Sequence, residues 1–306
     1  MSQRIWRIAT RKSALALWQA NHIADQIRQL PSNPAVELVP IVTTGDQNQT
    51  DALRQFGGTG VFTKEVQKAV LDGRADFAVH SLKDLPTQST EGLLLACVPA
   101  RAPRCDAILL PQSASLQNLA DLPPNAKVGT GSPRRQAQLK YLRPDLQLSE
   151  IRGNVDTRLK KLDDAEYDAI LLAEAGLTRL NLQHRISLVL QPPDFFPAVS
   201  QGALGIESRA DDLPAIELLA PLICPTTLSE VLAERALLRT LRAGCHAPLG
   251  VWTNLSDQSL TLTAVLLSPD GSSRIQQSAD GTIDDPELVG IATAELLLQS
   301  GAASLL

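Results

Sequence analysis

A unit of strand, polar turn and helix is used twice in the first two thirds of the chain, and this repetition limits the fold more than any other feature. In the first pass Arg7 to Thr10 reads as a strand, and Leu15, Trp18, Ile23, Ile27 and Leu30 then recur at helical spacing. A strand at Val36 to Val42, a helix over 64–71 and a buried strand at Phe77 to His80 complete the unit. In the second pass the strand is Lys127 to Thr130, and a helix starts at Pro133. A strand ending at Ile151, a helix near Val155 to Leu162 and an apolar strand at Ala169 to Leu172 follow. Such alternation implies an α/β architecture.

At 306 residues the chain is longer than one hydrophobic core usually supports, so several domains are expected. Pro99-Ala-Arg-Ala-Pro103 interrupts the pattern, and a second crossing is expected near Pro197. The last segment begins after Pro221, where Thr227 and Glu230 have the spacing of a capping box. Beyond it, Leu260, Leu262, Ala264 and Leu266 alternate as a half-buried strand, Ser268-Pro-Asp-Gly makes a turn, and Asp285-Pro286 opens a final helix. This part reads as a smaller α+β module.

Composition excludes several classes. The formal charge is −5, no basic run is present and aromatics are few, which disfavours nucleic-acid binding. The four histidines and four cysteines are scattered without metal-ligand or disulfide spacing, so no metal is expected. The start lacks the apolar core of a secretory signal and no run approaches the roughly 20 apolar residues of a membrane span, which implies a cytoplasmic protein without a membrane partner.

The stretch Gly129-Thr-Gly-Ser-Pro-Arg-Arg-Gln136 is the most informative for binding. Ser132 suits an N-cap and Pro133 the first helical position, so backbone N–H groups converge where Arg134 and Arg135 add forked donors for carboxylate or phosphate oxygens. Arg152, Arg158 and Arg179 follow later strands, near the edge where open α/β sheets bind ligands. Thr10-Arg11-Lys12-Ser13 repeats the device in the first half. Two such turns on one cleft suit a ligand with many carboxylates, although each alone could be a generic anion site or solvated surface charge. Lys83 and Asp84 follow the strand at Phe77 to His80. Both are catalytic candidates, and a Lys–Asp pair closing a turn is the plain alternative. Gly57-Gly-Thr-Gly-Val-Phe62 reads as a loop that covers a cleft and lays Phe62 on a flat ring, or as a simple surface turn. Loop placement makes Cys245 reachable, yet a single cysteine is more often a small buried hydrophobe.

Taken together, these stretches resemble porphobilinogen deaminase, a family also called hydroxymethylbilane synthase. The strings that carry the resemblance are Arg7-Ile-Ala-Thr-Arg-Lys-Ser, Gly60-Val-Phe-Thr-Lys-Glu, His80-Ser-Leu-Lys-Asp-Leu-Pro, Ser132-Pro-Arg-Arg-Gln and Arg152-Gly-Asn-Val, with Tyr167-Asp-Ala-Ile-Leu-Leu-Ala, Gln201-Gly-Ala-Leu-Gly-Ile-Glu and Ala243-Gly-Cys-His-Ala-Pro-Leu-Gly. The resemblance implies two lobes like those of type II periplasmic binding proteins plus the smaller α+β domain. The expected divisions are 1–99 with 200–220, 103–197, and 222–306.

It also implies a monomer that condenses four porphobilinogen molecules onto a dipyrromethane primer, held by a thioether to Cys245, and frees hydroxymethylbilane by hydrolysis. Asp84 would supply acid and stabilise charge. Arg11, Ser13, Lys83, Arg134, Arg135, Arg152, Arg158 and Arg179 would bind the acetates and propionates, and Phe62 would stack. Three departures from the family pattern stand out: Thr59 at a frequent lysine, Gly131 at a frequent serine and Ser200 at a usual glycine. Two rival readings remain. A two-lobed anion-binding protein without catalysis would share the fold, and a phosphate-ester enzyme lacks its nucleotide loop and metal ligands.

Overall fold

The computed structural model describes residues 4–43, 63–111, 114–244 and 247–306. These form two compact units, one of residues 1–101 with 203–228 and the other of residues 102–202 with 229–306.

In chain order the strands of the two larger sheets are β1 (Trp6–Arg11), β2 (Val36–Ile41), β3 (Phe77–Ser81), β4 (Leu93–Cys97), β5 (Asp106–Leu109), β6 (Lys127–Gly129), β7 (Gln147–Ser149), β8 (Ala169–Ala173), β9 (Leu188–Leu190) and β10 (Leu204–Arg209). The helices are α1 (Ala14–Arg28), α2 (Lys64–Leu71), α3 (Pro133–Leu142), α4 (Val155–Asp163), α5 (Glu174–Arg179), α6 (Leu213–Leu219), α7 (Pro225–Thr240) and α8 (Pro286–Gln299).

The first unit is built on the sheet β2-β1-β3-β10-β4. β1 lies parallel to β2 and β3, whereas β10 runs antiparallel between β3 and β4. Strand periodicity sends Ile8, Phe77, Val79 and Ile206 to a face covered by Ile23 and Ile27 of α1. Ala9, Ala78 and Leu93 go to the other face, against Val66 and Val70 of α2. Both faces are therefore buried. Pro40, which cannot donate to a ladder, is tolerated because β2 is an edge strand.

The second unit contains a sheet of the same plan, β7-β6-β8-β5-β9, with β5 as its antiparallel strand. In each large sheet the antiparallel strand is the first one made after the chain crosses between units. Val128, Leu171 and Ile108 pack against Leu139 of α3, while Ile170, Leu172 and Leu109 pack against Leu159 and Leu162 of α4. This unit also holds an antiparallel meander of β11 (Leu249–Ser256), β12 (Ser259–Leu267) and β13 (Arg274–Thr282). Leu260, Leu262 and Leu266 are buried there beneath Leu237 of α7 and Val289 and Leu297 of α8. The α/β class with a smaller α+β module is as the sequence implies.

The capping-box expectation at Thr227 and Glu230 is corrected. α7 begins two residues before Thr227, at Pro225, whose missing N–H and fixed φ suit the first helical position. The Thr227 hydroxyl instead accepts the Arg101 N–H at 3.1 Å, and Glu230 pairs with Arg104 at 3.2 Å.

Candidate active site

In the first unit β3 runs into a single 3₁₀ turn, Leu82–Asp84. Lys83 is partly buried on this turn and the Asp84 side chain is exposed, with no hydrogen bond or ion pair to it among the described residues. The parallel pairing of β1 with β3 brings the C-terminal ends of both strands to one sheet edge, so Arg11 and Ser13 share that edge with Lys83 and Asp84. Arg11, the last residue of β1, is partly buried. Ser13 caps α1, its hydroxyl accepting the Ala16 N–H at 3.4 Å.

The second unit uses the same edge of its own sheet. Ser132 is the N-cap and Pro133 the first residue of α3, as the sequence implies, and Arg134 and Arg135 are both buried. They converge on Asp106, a residue that sequence reasoning missed. Arg134 Nη1 donates to Asp106 Oδ2 and to the Phe196 carbonyl, both at 2.6 Å. Arg135 Nε donates to Asp106 Oδ1 at 2.9 Å, and its Nη1 donates to the Leu171 carbonyl at 2.9 Å. The Gln201 amide donates to the same Oδ1 at 3.0 Å. Burial alone would raise the pKa of Asp106, but the charges of Arg134 and Arg135 outweigh it and hold the carboxyl far below its usual range. A signal was present: an aspartate heads the apolar run Asp106–Leu109, and a charge inside a buried strand needs a partner.

Arg158 lies near enough to Arg135 and Arg152 to be repelled by both. Burial first, then the charges of Arg135 and Arg152, lower the Arg158 pKa to about 10. Arg158 Nε donates to the Gly153 carbonyl at 2.8 Å, and Arg152 pairs with Glu150. Arg179 is buried at the end of α5, where burial lowers it to about 10 and Nη2 donates to the Gly202 carbonyl at 2.7 Å. Arg134, Arg135, Arg152 and Arg158 are thus brought together, with Arg134 and Arg135 both committed to protein partners. At Gly131 a Cβ would meet nothing closer than the Ile151 carbonyl at 3.5 Å, so a serine would fit and only its hydroxyl is missing.

Ser200 has φ +59°, a left-handed conformation that favours glycine. Its N–H donates to Glu234 Oε2 at 2.6 Å, while its own buried hydroxyl has no partner among the described residues. Relief of left-handed strain and of an unpaired hydroxyl exceeds the added chain freedom of glycine. Ser200→Gly is therefore expected to raise unfolding stability by roughly 1 kcal/mol, and an unchanged or lower urea midpoint would contradict this.

Residues 6–217 match the family model "Porphobilinogen deaminase, dipyromethane cofactor binding domain", and residues 228–299 match "Porphobilinogen deaminase, C-terminal domain". The chain belongs to the porphobilinogen deaminase family. Curated porphobilinogen deaminases from Maridesulfovibrio salexigens and Chromobacterium violaceum are each 46% identical over 299 residues, covering 98% of this chain and 96% of theirs. Weaker likenesses to solved structures include a periplasmic VFT2 domain of Bordetella pertussis BvgS (TM-score 0.43, 14% identity, 74% of this chain and 91% of that one) and a putative methionine-binding lipoprotein of Bacillus subtilis (TM-score 0.42, 14% identity, 71% and 89%). The fold class stands on the strand orders, not on these.

The family matches favour the enzyme over the non-catalytic anion-binding reading. The cofactor-binding match spans Arg11, Ser13, Lys83, Asp84, Arg134, Arg135, Arg152, Arg158 and Arg179, and the C-terminal match includes Cys245. Cys245, Phe62 and Thr59 lie outside the described residues. A dipyrromethane carries acetate and propionate groups, and Arg158, repelled by the nearby charges of Arg135 and Arg152, belongs with them to a donor set that such carboxylates would neutralise. The residues present fit the cofactor.

Proposed function

We propose that this chain joins four porphobilinogen molecules head to tail with loss of ammonia, and releases hydroxymethylbilane by hydrolysis, with Asp84 as acid and the arginines as carboxylate holders. Membership of the family carries the reaction. The arginine cluster carries the residue roles, because like charges held close together gain most from an anionic ligand.

When bound through the Cys245 thiol, the dipyrromethane supplies the pyrrole terminus to which new units are joined. Arg135, Arg152 and Arg158 hold its carboxylates by charge-assisted bonds of about 1.5–3 kcal/mol each before desolvation. Arg134 and Arg179 have the same role at positions nearer the protein interior. Arg11, Ser13 and Lys83 bind the carboxylates of the incoming porphobilinogen on the edge that also carries Asp84. The Asp84 carboxyl group donates a proton to the departing amine, and as carboxylate it faces the positive charge left behind. Phe62 stacks on a pyrrole ring.

The chain acts as a cytoplasmic monomer with no nucleic-acid or membrane partner; no single helix among the described residues is long and apolar enough to cross a membrane. Its domain plan is threefold, with divisions at 1–99 plus 200–220, 103–197 and 222–306. The separate buried clusters of the three sheets support this plan. Intact-protein mass spectrometry tests the function. The wild-type chain should carry a dipyrromethane-sized excess that Cys245→Ser lacks. An unmodified wild-type chain that also fails to gain mass with porphobilinogen would refute the reading.

A further inference from the structure

Beneath the turn that carries Asp84, three buried polar side chains from separate elements meet. They are His80 on β3, Glu207 on β10 and Gln67 on α2. Gln67 Nε2 donates to both Glu207 oxygens, at 3.1 and 2.9 Å. His80 Nε2 lies 3.1 Å from Glu207 Oε2, within pairing distance though off the angle of a hydrogen bond. Glu207 and His80 share one sheet face, since Glu207 is opposite Ala78 and Gly205 is opposite His80. A carboxylate with about 3% of its side-chain surface exposed is costly to bury, and nothing in the assigned chemistry uses it.

The residues after His80 are held one by one. The Ser81 hydroxyl accepts from the Gln19 amide at 2.8 Å, and the Leu82 N–H donates to the Ala203 carbonyl at 3.0 Å. Leu82 packs so closely on Gly205 that a Cβ there would come within 2.8 Å of Leu82 Cδ1. His80, Ser81 and Leu82 are each fixed to a different support, and Lys83 and Asp84 project from the end of this clamp.

We propose that Glu207, through His80, is a positioning residue for Asp84. The buried carboxylate fixes the imidazole at the C-terminal end of β3 and so sets where the exposed carboxyl group of Asp84 stands relative to substrate. This rests on the reading of Asp84 as the acid. Most of the porphobilinogen contacts do not depend on the clamp, because Arg11 and Ser13 are placed by β1 and α1 and only Lys83 projects from it.

A double-mutant cycle tests the proposal, with intact mass following the gain of the first pyrrole unit by purified, primer-loaded enzyme. Glu207→Gln keeps the shape and removes the charge. It should slow that step about tenfold at saturating porphobilinogen while the half-saturating concentration stays within about twofold. In an Asp84→Asn background the same change should add nothing, because the group being positioned is gone. Equal slowing in both backgrounds, or a loss confined to thermal stability, overturns the proposal. If Glu207→Gln does not fold, His80→Gln and His80→Leu replace it. The glutamine, which keeps a donor toward Glu207, should retain most of the rate and the leucine should not. Equal rates for the two overturn the clamp. Wild-type speed in Asp84→Asn alone would instead remove Asp84 as acid, a separate result.

Discussion

Asp84→Asn is expected to lose turnover by about 100- to 10,000-fold, the range typical of a positioned general acid, while still carrying its primer and binding porphobilinogen. An amide keeps the shape of the carboxyl group but neither gives up a proton at neutral pH nor offers a full negative charge to a cation forming beside it. The exposed Asp84 carboxylate makes no hydrogen bond or ion pair to the described residues, so the change strands no buried group. Stability should therefore move by no more than about 0.5 kcal/mol. Porphobilinogen consumption by primer-loaded protein is the measurement, and an unchanged rate would take Asp84 out of the mechanism.

Asp106→Asn should cost about 3–5 kcal/mol of stability, because it leaves two buried guanidinium groups without their counter-charge. Asp106 is fully buried, and Arg134, Arg135 and Gln201 all donate to it. The pH dependence has a definite sign. The folded pKa lies far below the ordinary value of about 3.9, so the stabilisation is complete above that value and fades as pH falls toward the folded one. The gap in urea midpoint between wild type and variant should thus be full at pH 7 and narrower at pH 3. An equal gap at both would show that shape, not charge, sets the cost. Primer assembly should fail in the same variant, since the neutral amide keeps one oxygen acceptor but turns an NH2 toward one of the two arginines and removes the charge that places both.

The sheets with clear periodicity were legible. β1, β3, β6 and β8 and the helices that cover them follow the spacing of apolar residues, because one face or stripe of each is buried. The cap at Ser132 and Pro133 was legible for a local reason, the chemistry of free N–H groups. β5 and β10 were not, since each is buried on both faces and carries an acidic residue that reads as surface. Asp106 and Glu207 become intelligible only when arginines or a histidine far off in sequence arrive beside them. The helix start at Pro225 was missed because Thr227 and Glu230 mimic a cap while serving partners more than a hundred residues away.

The antiparallel strand in the middle of the first sheet also affects how this protein comes off the ribosome. β3 and β4 are made early, yet β10, which separates them, is translated only after the whole of the second large sheet. Until Arg209 has emerged, the nascent chain holds two apolar strands with open edges and no partner between them. Such edges invite pairing with other chains. The Asp84 turn, whose Leu82 leans on Ala203, lacks that support in the interval. Synthesis that stalls between the two crossings would leave a fragment longer than the first unit's leading segment but unable to complete its sheet, and a natural client for chaperones.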